Sequence, residues 1–527
     1  MSRLLLPHAD KRRDLLKLAG AGGLIAATSG LWPDALHAQT AAATPVPTPK
    51  RGGRLRAAAS NSSLSETLDP ARGNNSGDYM RQFMFYSGLT ELSASMQAEP
   101  ALAESFETRD GSTWVFRLRR GVVFHNGKAL NSADVVFSLM RHKDPQTASV
   151  VKVLADQIEA VRAIDSHTVE IKLASPNSDL PAILTTSHFL IVPDGTTDFS
   201  LGIGTGPYRC QEFTPGRRVV GVRNENFWKP GKPYLDEVEL IGLTDAAARV
   251  NGLLAGDLHV ASGVTANVAR LQQSPNHAIL ETKSGLYTDV VVRVDMAPGN
   301  NADFVAALRY LQPRERLVKA VMRGFGTVAN DHPVPPWHPY YLADLPQRPY
   351  DLDRARFHVQ RGKLQGVAAD LVCPSASLDG AVEGAQLLQQ GGNQIGLKLN
   401  VRRVPYDGYW SQHWMKHPVS YGSVNPRPTL DMLFSQFYQS GARWNESGWS
   451  NAQFDQLLVA ARGETDEAKR KQMYGDMQAL VAEHCGTIVP AFISFLDGYS
   501  RKVQGLAPNP MGMLMGYRFA EHVWLDS

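Results

Sequence analysis

The chain has 527 residues, 43% hydrophobic and 20% charged, with 54 Lys and Arg against 51 Asp and Glu. That length exceeds one core of roughly 100–200 residues, so two or three domains are expected, and 45 Gly with 32 Pro excludes a collagen-like or low-complexity chain. A net charge of +3, evenly spread, excludes the clustered basic face of a nucleic-acid binder, and three cysteines (Cys210, Cys373, Cys485) allow at most one disulfide.

The N-terminus carries Lys11-Arg12-Arg13-Asp14-Leu15-Leu16-Lys17 before an apolar, Gly/Ala-rich run to about Leu31. The run is too short to span a bilayer, which takes about 20 apolar residues. Charged start, apolar middle and small residues beyond make a signal peptide; the paired arginines resemble the twin-arginine type. Cleavage is expected near Ala38, which removes five basic and three acidic residues and leaves a charge of +1. The mature protein is therefore expected in the periplasm, without an ATP or NAD(P)H pool. Residues 39–53 read as an Ala/Thr/Pro-rich linker.

Further along, Trp114–Arg119 alternates apolar and basic, a half-buried strand. Asn131 or Ser132 caps a helix with Asp134 in its first turn and Val135, Val136, Leu139 and Met140 on one face. Val169–Leu173 is another strand. Gly121, Gly127 and Gly216 mark turns, and Gly204 and Gly206 beside Pro207 suggest permissive φ at a sharp re-entry into a strand. Trp114, Phe116, Phe124 and Phe137 are expected core aromatics. Asp466-Glu467 opens a C-terminal helix with Met473, Met477, Leu480 and Val481 at helical spacing, ended by Gly486 as C-cap. The class is a mixed α+β fold.

Three segments, Gly111–Arg141 (GSTWVFRLRRGVVFHNGKALNSADVVFSLMR), Gly204–Leu240 (with GTGPY and NENFW) and Trp449–Arg462 (WSNAQFDQLLVAAR), resemble in order and spacing the extracytoplasmic solute-binding proteins of peptide- and nickel-type ABC importers. The resemblance covers Arg51 to Ser527. It implies a two-lobed periplasmic-binding-protein-like fold with a hinged cleft. The first lobe would take 51–85, 205–290 and 500–527, an inserted small domain 86–204, and the second lobe 291–499. It implies no cofactor, a peptide or peptide-like ligand, a monomer, and as partners permease transmembrane subunits with their cytoplasmic ATPases.

In peptide-binding relatives an aspartate of the second lobe neutralises the ligand's α-amino group. The matching stretch here, Tyr421–Pro428 (YGSVNPRP), has no acid; its place falls near Val424 or Asn425, and Arg427 stands where an acid is common. A guanidinium pairs with carboxylate or phosphate, not ammonium. This suggests an anionic or amine-blocked ligand such as an opine, acidic peptide or modified amino acid; the bland alternative is a solvated or structural arginine. Aromatic walls suit such clefts, and the substrate-binding candidates are Tyr86, Trp410, Trp414, Tyr421, Asn425, Arg427, Trp444 and Asn445. Trp410 and Trp414 would stack one turn apart if helical.

His413 and His417 are spaced to clasp a metal such as nickel, but Pro418 disfavours helix at His417 and no carboxylate or thiol lies close in sequence, so no metal is expected. No catalytic signature of a secreted hydrolase or phosphate loop is present, and the protein is expected not to be an enzyme. His259 stands where relatives usually carry Asp, most simply as a hydrogen-bonding substitute.

Overall fold

Two long strands, His277–Val292 and Thr487–Ser500, pair antiparallel from His277 opposite Ser500 to Val291 opposite Thr487. In this computed structural model, which describes residues 48–374, 380–405 and 409–526, they form the centre of an eleven-stranded sheet. Their Val, Ile, Thr, Phe and Tyr content suits a pleated, buried surface. On one flank lie Val419–Val424, Ala368–Pro374 and Lys398–Val404; on the other Val260–Ala261, Arg54–Ala59, Glu237–Gly242, Arg218–Arg223 and Tyr208–Thr214. Each flank has its own core: Leu55, Met80, Phe85, Tyr208 and Val238 in one, Val290, Phe304, Leu308, Leu371 and Leu388 in the other. The architecture is therefore mixed α/β with two lobes, and the long strands run from one into the other.

Their pairing slips twice. Between Lys283 and Tyr287 the first strand carries extra residues. There Ser284 Oγ donates to the Ile493 carbonyl at 2.7 Å and accepts the Leu286 N–H at 3.0 Å, closing the bulge. The second slip, between Thr288 and Val290, lies opposite Val489-Pro490. Pro490 has no N–H to give the ladder.

A four-stranded antiparallel sheet, in the order Ala103–Thr108, Thr113–Leu118, Thr168–Leu173, Ile158–Asp165, forms a separate small domain. Both strands expected from alternation are there. The helix Ser132–Met140 has Asn131 as N-cap in a full capping box with Asp134. Trp114, Phe116 and Phe124 share that domain's core with Val135 and Leu139, whereas Phe137 is half-buried against the first lobe's core. The small domain touches the second lobe: Ser178 N and Oγ donate to the carbonyls of Arg462 and Glu464 at 2.9 and 3.0 Å, and Asp179 Oδ2 pairs with Arg470 at 2.7 Å.

Two expectations about glycine are corrected. Gly204 and Gly206 do not adopt positive φ. They are glycine because Phe85 and Tyr86 pass so close that a Cβ would lie 2.1 Å from the Phe85 carbonyl oxygen at 204 and 2.4 Å from its carbon at 206. Gly486 is not a left-handed C-cap; the helix Glu467–His484 ends at Cys485 in an extended conformation. A Cβ on Gly486 would strike the Val292 carbonyl oxygen at 2.1 Å. By contrast Gly121, Gly127 and Gly216 have φ of 76°, 85° and 74° and do serve turns.

The first two motifs meet through His125. Its Nε2–H donates to the Gly206 carbonyl at 3.1 Å, while Nδ1 accepts the Gly204 N–H at 3.3 Å; burial lowers the ring's pKa and keeps it neutral. His259 is likewise a hydrogen-bonding residue, its Nδ1 accepting the Arg56 N–H at 2.9 Å. All three cysteines are free thiols. The leader, the proposed cleavage site and the linker up to residue 47 lie outside the described residues. Among the described residues no helix is long and apolar enough to cross a membrane.

Candidate functional site between the lobes

Ala368–Pro374, Lys398–Val404 and Val419–Val424 run parallel, so their carboxyl ends share one edge of the second lobe. Ligands of open α/β sheets bind at such ends. Val424 leads there into Asn425-Pro426-Arg427-Pro428. This loop rests on the first slip of the long strands: a Cβ on Gly285 would meet Pro426 Cβ at 3.4 Å.

Arg427 is half-buried. Its Nε donates to Gln436 Oε1 at 2.8 Å, and Nη1 to the carbonyls of Asn425 and Pro426 at 2.9 and 3.3 Å. The guanidinium lies 5.2 Å over the Phe437 ring, and Phe437 packs on Trp444 at 5.6 Å. No acid among the described residues pairs with it. Burial lowers the Arg427 pKa, opposed by the phenols of Tyr287 and Tyr79. Tyr79 belongs to the helix Ser76–Phe85 of the first lobe. Burial, then Asp78, raises its pKa, and Arg427 works the other way. Arg427 and Tyr79, from different lobes, thus lie within electrostatic reach of each other.

The remaining candidates divide. Trp444 is 39% exposed, and Asn425 is exposed beside Arg427. Trp410 and Trp414 touch edge-to-face at 5.5 Å, although the helix Tyr409–Gln412 stops before Trp414; both pack with Tyr409 on Val372 and Val404. Trp414 Nε1 donates to Glu446 Oε1 at 2.7 Å. Tyr421 is buried, its hydroxyl against Gly384, where a Cβ would come within 2.6 Å. Tyr86 is buried in the first lobe's core. Asn445 is buried and staples its loop by donating to the carbonyls of Gln439 and Trp449. The structure thus brings together Asn425, Arg427 and Trp444, and sets Tyr86, Tyr421 and Asn445 into packing roles. Tyr79 had no signal in the sequence, because only the fold carries it to Arg427.

His413 Nδ1 and His417 Nε2 are 3.1 Å apart, with ring centroids 5.4 Å apart and planes at 21°. The centroid separation is the nitrogen separation plus about one ring radius on each side, so the two nitrogens point straight at each other. That is an N–H···N hydrogen bond, not two lone pairs converging on an ion. Burial, then His413, then Arg402 lowers the His417 pKa. Among the described residues no group of three or more His, Cys, Asp or Glu side chains could hold a metal.

Residues 97–446 match the profile of the bacterial extracellular solute-binding proteins, family 5 Middle. The chain belongs to that family. This solute-binding protein is 27% identical over 477 residues to heme-binding protein A of Haemophilus influenzae, covering 82% of this chain and 85% of the relative. It is 26% identical to the glutathione-binding protein GsiB of Pectobacterium atrosepticum, covering 84% and 90%. Its fold matches HbpA2 from Haemophilus parasuis with a TM-score of 0.80 at 24% identity, covering 90% of this chain and all of that one. It also matches the periplasmic binding protein DppA from Helicobacter pylori in complex with the peptide STSA, with a TM-score of 0.75 at 21% identity, covering 91% and 99%. As a member of this family it is the extracytoplasmic solute-binding component of an ABC importer, working with permease and ATPase subunits.

Proposed function

We propose that this protein captures a peptide-like solute whose anionic group lies between Arg427 of the second lobe and Tyr79 of the first. One observation carries the reading: a half-buried guanidinium at the strand ends whose partners among the described residues are neutral oxygens. A buried cation without an acid is costly unless a ligand supplies the counter-charge. Heme, named for one relative, carries carboxylates and no amine, while glutathione, named for another, carries carboxylates beside a free α-amine. Trp444, exposed and packed on the buried Phe437, continues the surface with an aromatic face. A free α-amine has no carboxylate to meet in 421–428.

The protein binds without turnover. It is exported by a twin-arginine leader cleaved near Ala38 and acts as a monomer. We place lobe boundaries at 51–85, 205–290 and 500–527 for the first lobe, 86–204 for the insert and 291–499 for the second; the separate cores support three parts, with Tyr86, Leu190 and Val192 packing into the first lobe's core. The pairing slips at 284–286 and 489–490 favour a hinge inside the long strands.

Thermal shift of the mature chain against N-acetylated dipeptides, glutathione, opines, free-amine dipeptides, sugars and nickel tests the reading. A solute at 100 times its Kd adds about 2.7 kcal/mol. Shifts are expected with the anionic, amine-blocked compounds, and Arg427→Ala is expected to weaken them by about 10- to 100-fold. Shifts confined to sugars, nickel or unmodified peptides, or an Arg427→Ala protein of unchanged affinity, would overturn it.

A further inference from the structure

Four consecutive residues near the C-terminus, Leu514, Met515, Gly516 and Tyr517, have φ of 48°, 63°, 63° and 74°. They form one turn wound left-handed. Only Gly516 does this freely; the other three carry a Cβ that crowds the following carbonyl. Such strain persists only where the surroundings impose it, and it gathers at ligand clamps and switch regions.

The surroundings are specific. Buried Asp497 accepts the Leu514 N–H on Oδ2 at 2.6 Å, and the Leu514 side chain is sunk in the first lobe's core beside Phe519. The Tyr517 ring lies over Gly512, where a Cβ would come within 2.3 Å. The turn thereby sets Tyr517 edge-to-face on Tyr79 at 5.4 Å, the residue within electrostatic reach of Arg427. Among the described residues, burial and neighbouring charges act on these two phenols, with no hydrogen bond to either hydroxyl. Met513 and Met515 are half-buried on the same turn, with Met513 Sδ 3.9 Å from Ser60 Oγ. A pair of phenols in ring contact, one of them within electrostatic reach of the Arg427 guanidinium, therefore lies next to a pair of thioethers. Thioether side chains adapt to apolar ligands.

We propose that this left-handed turn is the first-lobe wall of the solute site. Tyr79 and Tyr517 donate their hydroxyls to the anionic group held by Arg427, and Met513 and Met515 take an apolar body attached to it. The preferred solute is thus an amphipathic anion, an amine-blocked peptide with bulky apolar side chains. The proposal rests on the Arg427 reading for its anionic end and adds the wall and the apolar body.

Two probes separate the parts by calorimetric titration: N-acetyl-Phe-Phe and N-acetyl-Gly-Gly, which share a carboxylate and a blocked amine and differ in apolar body. The wild-type protein is expected to bind the first more tightly. Tyr517→Phe, which keeps the ring, should weaken both by about tenfold. Met515→Gly removes the thioether and relaxes the backbone, so it should weaken only the Phe-Phe probe while the unliganded Tm holds or rises. A turn that merely covers the core would leave both affinities within about twofold in these variants, or lower both with a falling Tm in Met515→Gly; either result overturns the wall. If Arg427→Ala abolishes binding while both wall variants bind normally, the wall alone fails. If wild-type protein binds neither probe, or Arg427→Ala changes nothing, the anion reading fails and the wall with it.

Discussion

Asp289 and Glu446 turn their carboxyl groups toward the same bare α-carbon, that of Gly422. A Cβ there would lie 2.4 Å from Asp289 Oδ1 and 2.6 Å from Glu446 Oε1. Both side chains are buried. Glu446 receives the Trp414 indole N–H, and Asp289 and Glu446 hydrogen-bond to each other. Burial, then the charge of Glu446, raises the Asp289 pKa well above the carboxylate range, and burial raises Glu446. Cys485 also presses on Asp289, and Tyr287, Tyr409, Tyr421 and Tyr438 feel its charge; none of these neighbours is cationic. Two such carboxyls cannot both ionise, so they share a proton.

The sign of the pH effect follows. A carboxyl with a raised folded pKa contributes stability at low pH that is lost as pH rises through the folded value. Asp289→Asn, which cannot ionise, should lose less Tm than the wild type as the pH rises above about 4, and the two curves should converge in acid. Parallel curves across that range would refute the shared proton.

Gly422→Ala drives a methyl group into both carboxyls. The overpacking should cost about 1–3 kcal/mol, seen as a lower denaturation midpoint with the m-value unchanged. A neutral result would mean that the carboxyls sit elsewhere.

Asp497 is a second buried acid, with Oδ1 unpartnered and burial pushing its pKa up to about 7. Its unfavourable ionisation should make stability fall between about pH 4 and pH 7 and level off above. Asp497→Asn keeps an acceptor for the Leu514 N–H, so it should gain stability over wild type at pH 8, by at most about 4 kcal/mol, and none at pH 4. Urea melts at the two pH values measure this.

The Asp179–Arg470 pair ties the small domain to the second lobe. Burial pulls against the Arg470 charge, but Asp179 outweighs it and raises the pKa above the ordinary arginine range. Removing one partner strands the other, so Asp179→Ala should cost about 3–5 kcal/mol. The double variant Asp179→Ala with Arg470→Met should recover part of that. Small-angle scattering of the single variant should also show a larger radius of gyration, since the contact spans two parts of the molecule. Additive losses in the cycle would show that the pair carries no coupling.

What could be read from the chain alone was local. The Asn131 capping box, the strands around Trp114 and Val169, and the turns at Gly121 and Gly127 depend on neighbours a few residues away, and order carried them into the family. The glycines at 204, 206 and 486 were misread because their partners, Phe85 and Val292, are distant in sequence and close only in the fold. The site divided along the same line. Arg427 stood out as a basic residue in a stretch where an acid is usual, but Tyr79 and Tyr517 lie 348 and 90 residues away from it. Among the aromatics, Tyr421 sits in a buried strand and Tyr86 at a buried helix end, whereas Trp444 sits in an exposed turn, a difference that composition does not encode.

The two long strands also set how the lobes can move. Both are rungs of one ladder that runs through the junction, so a swing of one lobe is a twist of a two-stranded ribbon. Sliding would break the register of both strands at once, while twist gathers in the segments at Ser284–Leu286 and Pro490, where the rungs are already missing. The junction therefore acts as a torsion spring with its compliance concentrated at two points. Because the Arg427 loop is seated on the first of them through Gly285 and Pro426, winding the spring turns the Arg427 guanidinium with it.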